Sequence, residues 1–267
     1  MGGAGERKIG LARALSKLGY CSRSQASILV RAGRVRLNGS VRLDPETPVI
    51  LGRDRIAIDG RALEAEGRIY LVMNKPRGLV TTASDEKGRK TVYSIFENSD
   101  QSLPWVAPVG RLDKASEGLL LLTNDSEWGA RVGAPETHLE KTYHVQIGAI
   151  VDEAFIQSIV RGVKTENGDV LGTKKAALLR SGEKNCWLEI TLDEGKNRQI
   201  RRMLEICGIE VLRLVRVAIG PLQLDDLAKG TFRSLTSAEK MALDRAMALG
   251  KGDRSGAHAR LRFRPET

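Results

Sequence analysis

The stretch that decides the fold is Gly110–Asp125, which reads GRLDKASEGLLLLTND. Glycine reaches backbone conformations that other residues avoid, so Gly110 and Gly118 predict a tight polar loop between them. The four leucines that follow are typical of a strand buried on both faces. Asp113 is therefore predicted on a rigid loop beside a core strand, although the usual role of a loop aspartate is to cap a turn.

Strand-like segments follow one another from Ile69 onward, separated by turns and by helical stretches near 153–161 and 197–207. The strands do not alternate regularly with helices, which is the pattern of an α+β domain rather than of a parallel α/β fold. We therefore predict a mixed, largely antiparallel sheet.

A second candidate segment is Asp193–Gly208, DEGKNRQIRRMLEICG. Its apolar residues recur at helical spacing, and Gly208 is a natural helix end. Arg198 and Arg201 are three positions apart, so they are predicted on one helix face. Arg201 flanks the buried stripe and can reach a cleft, whereas for Arg198 and Arg202 an exposed face or a phosphate contact is the simpler interpretation.

A third candidate segment is Glu140–Ile147, which reads EKTYHVQI. Side chains alternate between the two faces of a strand, so Tyr143, Val145 and Ile147 are predicted on the same face. Taken alone, Tyr143 is interpreted as a core or half-buried aromatic residue.

The charge of the chain indicates an anionic partner. Its 267 residues include 43 Lys and Arg against 33 Asp and Glu, a net charge of +10, with 4% aromatics. Nucleic acid is the first expectation and an acidic membrane surface the second. Residues 8–43 carry eight basic side chains and no acidic one, which favours a phosphate-binding face over a merely solvated one.

Helical spacing within this basic segment predicts two short helices. Ser22 or Ser24 is expected to cap the second helix. A strand from Val35 then ends in the turn Asn38–Gly39, a dipeptide typical of hairpins. The segment therefore predicts a small unit with a basic helical face.

Several classes of protein are disfavoured. The three cysteines and three histidines show no paired spacing, so we expect neither a disulfide framework nor a metal site. No apolar run approaches the about 20 residues that cross a bilayer. The first residues, MGGAGERKIG, lack the apolar centre of a secretion signal, so a cytoplasmic location is expected.

Composition divides the chain into five predicted parts. These are a flexible N-terminus (1–7), a basic module (8–63), a linker (64–68), a larger domain (69–249) and a disordered basic tail (250–267).

The basic N-terminal unit resembles the S4 RNA-binding module over most of residues 8–66. The signature L-x-K-x-G-x-x-S-R-x-x-A…G-x-V-x-x-N-G stands here as Leu15, Lys17, Gly19, Ser22, Arg23, Ala26, Gly33, Val35, Asn38 and Gly39. The resemblance implies a small α/β fold whose two helices and following turn lie against structured RNA.

The three candidate segments together resemble the pseudouridine synthases of the RsuA/RluB type. The matching stretches, in the family's order, are LVMNKPRGLVTT, GRLDKASEGLLLLTND, EKTYHV, EGKNRQIRRMLEICG and RLVRVAIGPLQL. Members of this family break the N1–C1′ bond of a uridine in RNA, turn the base and join C5 to C1′. The resemblance implies no cofactor and no metal.

The resemblance also implies roles for individual residues. Asp113 matches the catalytic aspartate, Arg201 the arginine that pairs with it, and Tyr143 the tyrosine that stacks on the base. Arg111 is expected to fill the space of the extruded base or to clamp a phosphate, and Ile200 and Leu222 to line the pocket. Further RNA contacts are expected at Lys75, Arg77, Lys17, Arg23, Arg34, Lys196, Arg198 and Arg202.

The function expected from this resemblance is isomerisation of a specific uridine in ribosomal RNA, with large-subunit (23S) RNA favoured over small-subunit (16S) RNA. A non-catalytic RNA-binding factor of ribosome assembly, built on the same fold, is the alternative from another class. The expected partner is ribosomal RNA or a ribosomal assembly intermediate, without a membrane, and the expected state is a monomer.

Overall fold

The computed structural model describes residues 8–64, 67–83, 85–97 and 103–252. Its N-terminal unit packs two helices against short strands in the order β3-β2-β5-β6, with β1 paired to β4. The elements are β1 (Ile9–Gly10), α1 (Leu11–Lys17), α2 (Arg23–Arg31), β2 (Val35–Leu37), β3 (Ser40–Val41), β4 (Pro48–Val49), β5 (Ile56–Ile58) and β6 (Arg61–Ala62).

Local chemistry explains where these elements begin and turn. The Ser22 hydroxyl accepts a hydrogen bond from the Gln25 amide, and the Gln25 side chain accepts one from the Ser22 amide. This reciprocal capping box starts α2 at the first of the two predicted serines. Asn38 and Gly39 both have positive φ and form the predicted turn between β2 and β3.

The larger unit is built on a sheet in the order β13-β14-β10-β15-β9-β7-β17, with β16 on β15 and β8 on β9. Its elements are β7 (Tyr70–Lys75), α3 (Ser94–Glu97), β8 (Ala107–Val109), β9 (Glu117–Thr123), α4 (Ser126–Gly133), a 3₁₀ turn (Pro135–Thr137), β10 (Lys141–Ile147), α5 (Glu153–Arg161), β11 (Val163–Lys164), β12 (Val170–Leu171), β13 (Lys175–Ser181), β14 (Cys186–Leu192), α6 (Gln199–Ile206), β15 (Val211–Ile219), β16 (Leu222–Gln223), β17 (Phe232–Ser234) and α7 (Ser237–Gly252).

The sheet is mixed and largely antiparallel, which confirms the predicted fold class. Of the described strand pairs in this sheet, β9 and β15 run parallel and the others antiparallel. All seven residues of β9 are buried. Leu119 and Leu121 belong to the core around Trp128, and Leu120 and Leu122 to the core around Val106. The leucine run is therefore covered on both faces, as predicted.

Hydrogen bonds join the two units. The Lys17 ammonium donates to the Glu127 carboxylate at 2.7 Å, and the Trp105 amide donates to the Gly19 carbonyl at 2.8 Å. Both contacts come from the end of α1, so this end of the basic module rests on the larger unit.

Of the helices that the sequence patterns did not predict, α4 and α7 are the longest. Each begins with a cap that is readable in the sequence. Asp125 accepts from the Trp128 amide at 3.0 Å, and Thr236 and Glu239 form a capping box. The predicted segment 1–7 and residues 253–267 of the predicted tail lie outside the described residues, as do 65–66 of the predicted linker.

The cap of α7 makes the stability of the fold depend on pH. The Glu239 carboxylate accepts from both Arg233 terminal nitrogens and from the Thr236 amide, and the Arg233 bonds are the main reason why the pKa of Glu239 falls to about 2. A lowered carboxyl pKa stabilises the fold above the unfolded value of about 4.3, and this contribution is lost as pH falls toward 2.

We therefore expect the stability difference between wild type and Glu239→Gln to be full at pH 7 and to shrink steadily below about pH 4.5. Urea unfolding at several pH values measures this difference. Glu153→Gln, in the first turn of α5, is the matched control. A Glu239 difference that is equal at pH 7 and pH 3 would contradict this explanation.

Candidate active site

A cleft of about 290 Å³ opens beside the loop that carries Asp113. Its walls come from that loop, from β10 and β15, and from the segment between β14 and α6. The cleft brings together six of the residues predicted from the sequence: Asp113, Tyr143, Arg111, Ile200, Lys196 and Arg198.

The Asp113 loop is held by its own backbone carbonyls, since each of the five from 112 to 116 accepts a hydrogen bond. Besides Lys75, three donor residues come from other segments of the chain. They are the Thr81 hydroxyl to Leu112 (2.7 Å), the Gly78 amide to Lys114 (2.7 Å) and the Arg201 guanidinium to Ala115 (3.0 Å). Such anchoring fixes the position of the aspartate without using its carboxylate.

Lys75 supplies the remaining anchor and is not exposed to RNA. It is fully buried, and its ammonium donates to the carbonyls of Pro76, Asp113 and Ser116 at 2.9–3.1 Å. Burial lowers its pKa to about 8, against the opposing charges of Asp113 and Glu117. The predicted RNA contact is therefore wrong, because pairing of β7 with β9 sets Lys75 opposite Gly118, beneath the loop.

The Asp113 carboxylate pairs with Arg198, not with Arg201 as predicted. Arg198 Nη1 lies 3.3 Å from Asp113 Oδ2. The Arg201 guanidinium donates instead to the carbonyls of Ala115 and Val211. The reason is the start of α6 at Gln199, which leaves Arg198 before the helix with φ of 49°, so the two arginines do not share a helix face.

The ion pair between Asp113 and Arg198 is partly exposed to solvent. The side chains of Arg198 and Asp113 are 49% and 38% exposed. Such a pair contributes only about 0–1 kcal/mol to stability. Arg201 is the more buried arginine, and burial, assisted by the charges of Arg198 and Arg77, lowers its pKa.

Tyr143 lies half-buried on β10, between β14 and β15. Its side chain shares a face with Val145 and Ile147, as predicted, and packs against the apolar cores on both sides of the cleft. The part that remains accessible lines the cleft.

Two cationic residues of the cleft were missed in the sequence. Arg216 on β15 is only 5% exposed, and Lys141 begins β10. Burial is the first cause of a lowered Lys141 pKa, the Arg216 charge is the second, and Asp193 offsets part of it. The alternation Leu214, Arg216, Ala218 along β15 was the available signal, since it sets an arginine among inward-facing residues.

Comparison with known proteins follows the same division of the chain. The model of the RNA pseudouridylate synthase family matches residues 69–206, and the model of the S4 domain matches residues 9–53. Ribosomal large subunit pseudouridine synthase B of Bacillus subtilis is 36% identical over 239 residues, which are 89% of this chain and 96% of the relative. The chain belongs to the RNA pseudouridine synthase family.

Other members of the family agree with this assignment. An uncharacterized RNA pseudouridine synthase of Aquifex aeolicus is 34% identical over 242 residues, 88% of this chain and 93% of its own length. A solved structure of a pseudouridylate synthase superposes with a TM-score of 0.60 at 30% identity, covering 88% of this chain and 99% of that one. The resemblance and the fold expected from it are confirmed.

Leu222 of this synthase does not line the cleft, so that prediction is wrong. β16 pairs with β15 and turns the Leu222 side chain into the core around Trp128. Arg202 faces a separate surface depression with Thr165 and Glu205. Both differences arise from packing partners that are distant in the sequence.

Some of the side chains predicted to contact RNA from the basic module are already held in ion pairs within the protein. Lys17 is engaged with Glu127, and Arg34 forms a two-bond ion pair with Asp59 at 2.5 and 3.0 Å. Arg23 is exposed at the start of α2. In the larger unit Arg77 is exposed and its guanidinium approaches the Leu212 carbonyl at 3.5 Å. Contact of these residues with RNA stays a prediction.

The described residues offer neither a metal site nor a membrane span. No group of three or more His, Cys, Asp or Glu there is arranged to hold a metal ion. In that part of the chain, no helix has both the length and the apolar character needed to cross a membrane.

Proposed function

We propose that this synthase converts one uridine of large-subunit ribosomal RNA into pseudouridine, with Asp113 as the catalytic carboxylate. The observation that carries the proposal is the cleft in which a rigidly anchored aspartate faces an aromatic side chain and several cations. The Bacillus subtilis relative, named for the large ribosomal subunit, supports the choice of RNA.

The reaction rearranges one nucleotide. The N1–C1′ bond breaks, the uracil turns within the cleft, and C5 bonds to C1′. C5 then loses its proton and N1 gains one, so all other atoms are retained. Asp113 acts either as a nucleophile at C1′ or as a base, and both roles require the ionised carboxylate, for which Arg198 is the counter-charge 3.3 Å away.

The target base must leave its stack before it reaches Asp113. Extrusion costs a few kcal/mol, and stacking on an aromatic ring recovers about 1–3 kcal/mol. Tyr143 offers such a ring inside the cleft, and Arg111, exposed on the cleft's rim, is placed to occupy the vacated position or to hold a phosphate. Ile200 adds an apolar surface beside the ring.

RNA binding and catalysis are assigned to different parts of the chain. We propose residues 8–63 as the RNA-binding module, 64–68 as the linker and 69–249 as the catalytic domain. The basic module grips phosphates, and the cationic rim of the cleft, including Lys196 and Arg198, guides the strand toward Asp113. We further propose that the enzyme acts as a monomer in the cytoplasm.

Substitutions of Arg198 can separate the backbone strain at this residue, which affects stability, from its charge, which affects activity. Its φ of 49° is a conformation that costs a non-glycine residue about 1–2 kcal/mol. We expect Arg198→Gly to unfold at a higher urea concentration than Arg198→Gln, because glycine relieves the strain that glutamine keeps. Both variants should lose at least about ten-fold in activity with the counter-charge of Asp113. Equal stability of the two variants would show that the strain is absent.

Arg23 tests the role of the basic module. We expect Arg23→Gln to lower the slope of log Kd against log salt by about one, because one phosphate contact and its released counterion are lost. Filter binding of ribosomal RNA at several salt concentrations measures the slope. Arg161→Gln, an exposed charge at the end of α5, is the control. Identical slopes for Arg23→Gln and wild type would exclude Arg23 as a phosphate contact.

The choice between RNA substrates has a direct test. Purified enzyme is incubated separately with large- and small-subunit ribosomal RNA, free and as assembly intermediates, and pseudouridines are mapped. A new pseudouridine in large-subunit RNA supports the proposal, and one confined to small-subunit RNA overturns that part of it. Binding without any modification would favour the alternative of a non-catalytic assembly factor.

A further inference from the structure

Arg216 lies in the inner wall of the cleft, between Tyr143 and the Asp113 loop. β10, β15 and β9 are adjacent strands. Across them, Arg216 is the direct partner of Tyr143 on one side and of Gly118, at the end of the Asp113 loop, on the other. Neighbouring strands are about 4.8 Å apart, so the Arg216 backbone is flanked by the stacking ring and the catalytic loop.

The guanidinium of Arg216 is incompletely hydrogen-bonded. Its Nε donates to the Leu119 carbonyl at 2.7 Å, which fixes its orientation. Its Nη2 is buried and has no hydrogen-bond partner in the described parts of the chain. A buried donor left without a partner destabilises the fold, and more so when it is charged, so folding alone does not account for this arrangement.

We propose that Arg216 Nη2 donates a hydrogen bond to a carbonyl oxygen of the extruded uracil and stabilises the negative charge that the base acquires as it leaves C1′. This inference rests on the proposed function. When the N1–C1′ bond breaks, its electron pair stays on N1 and is delocalised onto O2 and O4. A preorganised cation at one of these oxygens stabilises that charge without taking up or releasing a proton.

Depth in the cleft favours the base over a phosphate as the partner. Arg198 and Lys196, with side chains 49% and 48% exposed, can meet phosphates at the rim. Arg216 is 5% exposed, and a phosphate, which is strongly hydrated and part of the strand, would have to give up its water to reach it. A base turned inward past the rim reaches the wall that Arg216 lines, where Lys141 adds positive charge and Asp193 opposes it.

The test is a double-mutant cycle that combines a substitution of Arg216 with the replacement of one uracil oxygen by sulfur. The RNA is a fragment of large-subunit ribosomal RNA around the uridine that the wild type modifies, with uridine, 2-thiouridine or 4-thiouridine at that position. Sulfur is a poorer hydrogen-bond acceptor than oxygen. Single-turnover rates are measured for wild type and Arg216→Met, and the change in intrinsic reactivity caused by sulfur cancels when the two enzymes are compared.

We expect Arg216→Met to be slower on the uridine RNA by about 10- to 100-fold, the range of a hydrogen bond to a charged group, with its Kd for RNA within about two-fold of wild type because the rim cations remain. The preference of an enzyme for oxygen is its rate on the uridine RNA divided by its rate on a thiouridine RNA. For one of the two thiouridines, this ratio should be about ten-fold larger for wild type than for Arg216→Met. That thiouridine identifies the contacted oxygen.

Preferences that agree within about two-fold at both positions would overturn the inference. If Arg216→Met does not fold, Arg216→Lys, which keeps the charge but moves the donor, is compared in the same way. A wild type that forms no pseudouridine in the uridine RNA would instead overturn the proposed function, so the two failures are distinguishable.

Discussion

Asp113→Asn is expected to form pseudouridine at least about 1,000-fold more slowly than wild type. The neutral amide keeps the shape of the side chain but can act neither as a nucleophile at C1′ nor as a base. The loop itself should be unchanged, because it is held through its backbone carbonyls, including two bonds from Lys75. Single-turnover assays with ribosomal RNA measure the loss.

The folding control for this variant is informative because the Asp113 side chain is 38% exposed. The free energy of unfolding should fall by less than about 1 kcal/mol, the usual limit for an exposed ion pair. Asp169→Asn, in the exposed turn between β11 and β12, should retain full activity. A folded Asp113→Asn enzyme with near wild-type rates would remove Asp113 from the chemistry.

Of the substitutions considered for this enzyme, Gly118→Ala is expected to be the most destabilising. The strands β9 and β15 approach so closely at this point that a Cβ atom on Gly118 would meet the Arg216 carbonyl oxygen at a distance below any normal contact. The φ of +100° adds strain for any side chain. Strain and overpacking together predict a loss of about 2–6 kcal/mol, a large part of the usual stability of about 5–15 kcal/mol.

Gly168→Ala separates the two contributions. Gly168 also has a positive φ, of +85°, but nothing lies within 4 Å of the place that an alanine Cβ would take there, so only the backbone strain applies. Urea unfolding should therefore show Gly118→Ala to be less stable than Gly168→Ala by at least about 1 kcal/mol, the lower limit of overpacking. Equal losses would mean that the close approach of β9 and β15 is not rigid.

Features that depend on neighbours in sequence were predictable. The leucine run of β9 is buried on both faces because an uninterrupted apolar strand has no polar side to expose. The alternation along β10 correctly set Tyr143 with Val145 and Ile147, and the cap of α2 is Ser22, one of the two serines expected there.

Features that depend on tertiary pairing were not predictable. In the sequence, Lys75 belongs to a Lys-Pro-Arg-Gly turn and looks exposed, and only the pairing of β7 with β9 buries it beneath the catalytic loop. Arg198 pairs with Asp113 in place of Arg201 because the helix starts one residue later than their shared face requires. The inward position of Arg216 could be predicted from the alternation along β15, but the lack of a hydrogen-bond partner for its Nη2 could not.

Pseudouridine mapping of both ribosomal RNAs in a strain that lacks this gene is the direct test of catalysis by Asp113 on large-subunit RNA. One pseudouridine should disappear from large-subunit RNA, return with the wild-type gene and stay absent with Asp113→Asn at equal protein level. Unchanged large-subunit RNA in the deletion strain would exclude this substrate, and restoration of the pseudouridine by Asp113→Asn would exclude Asp113 as the catalytic carboxylate.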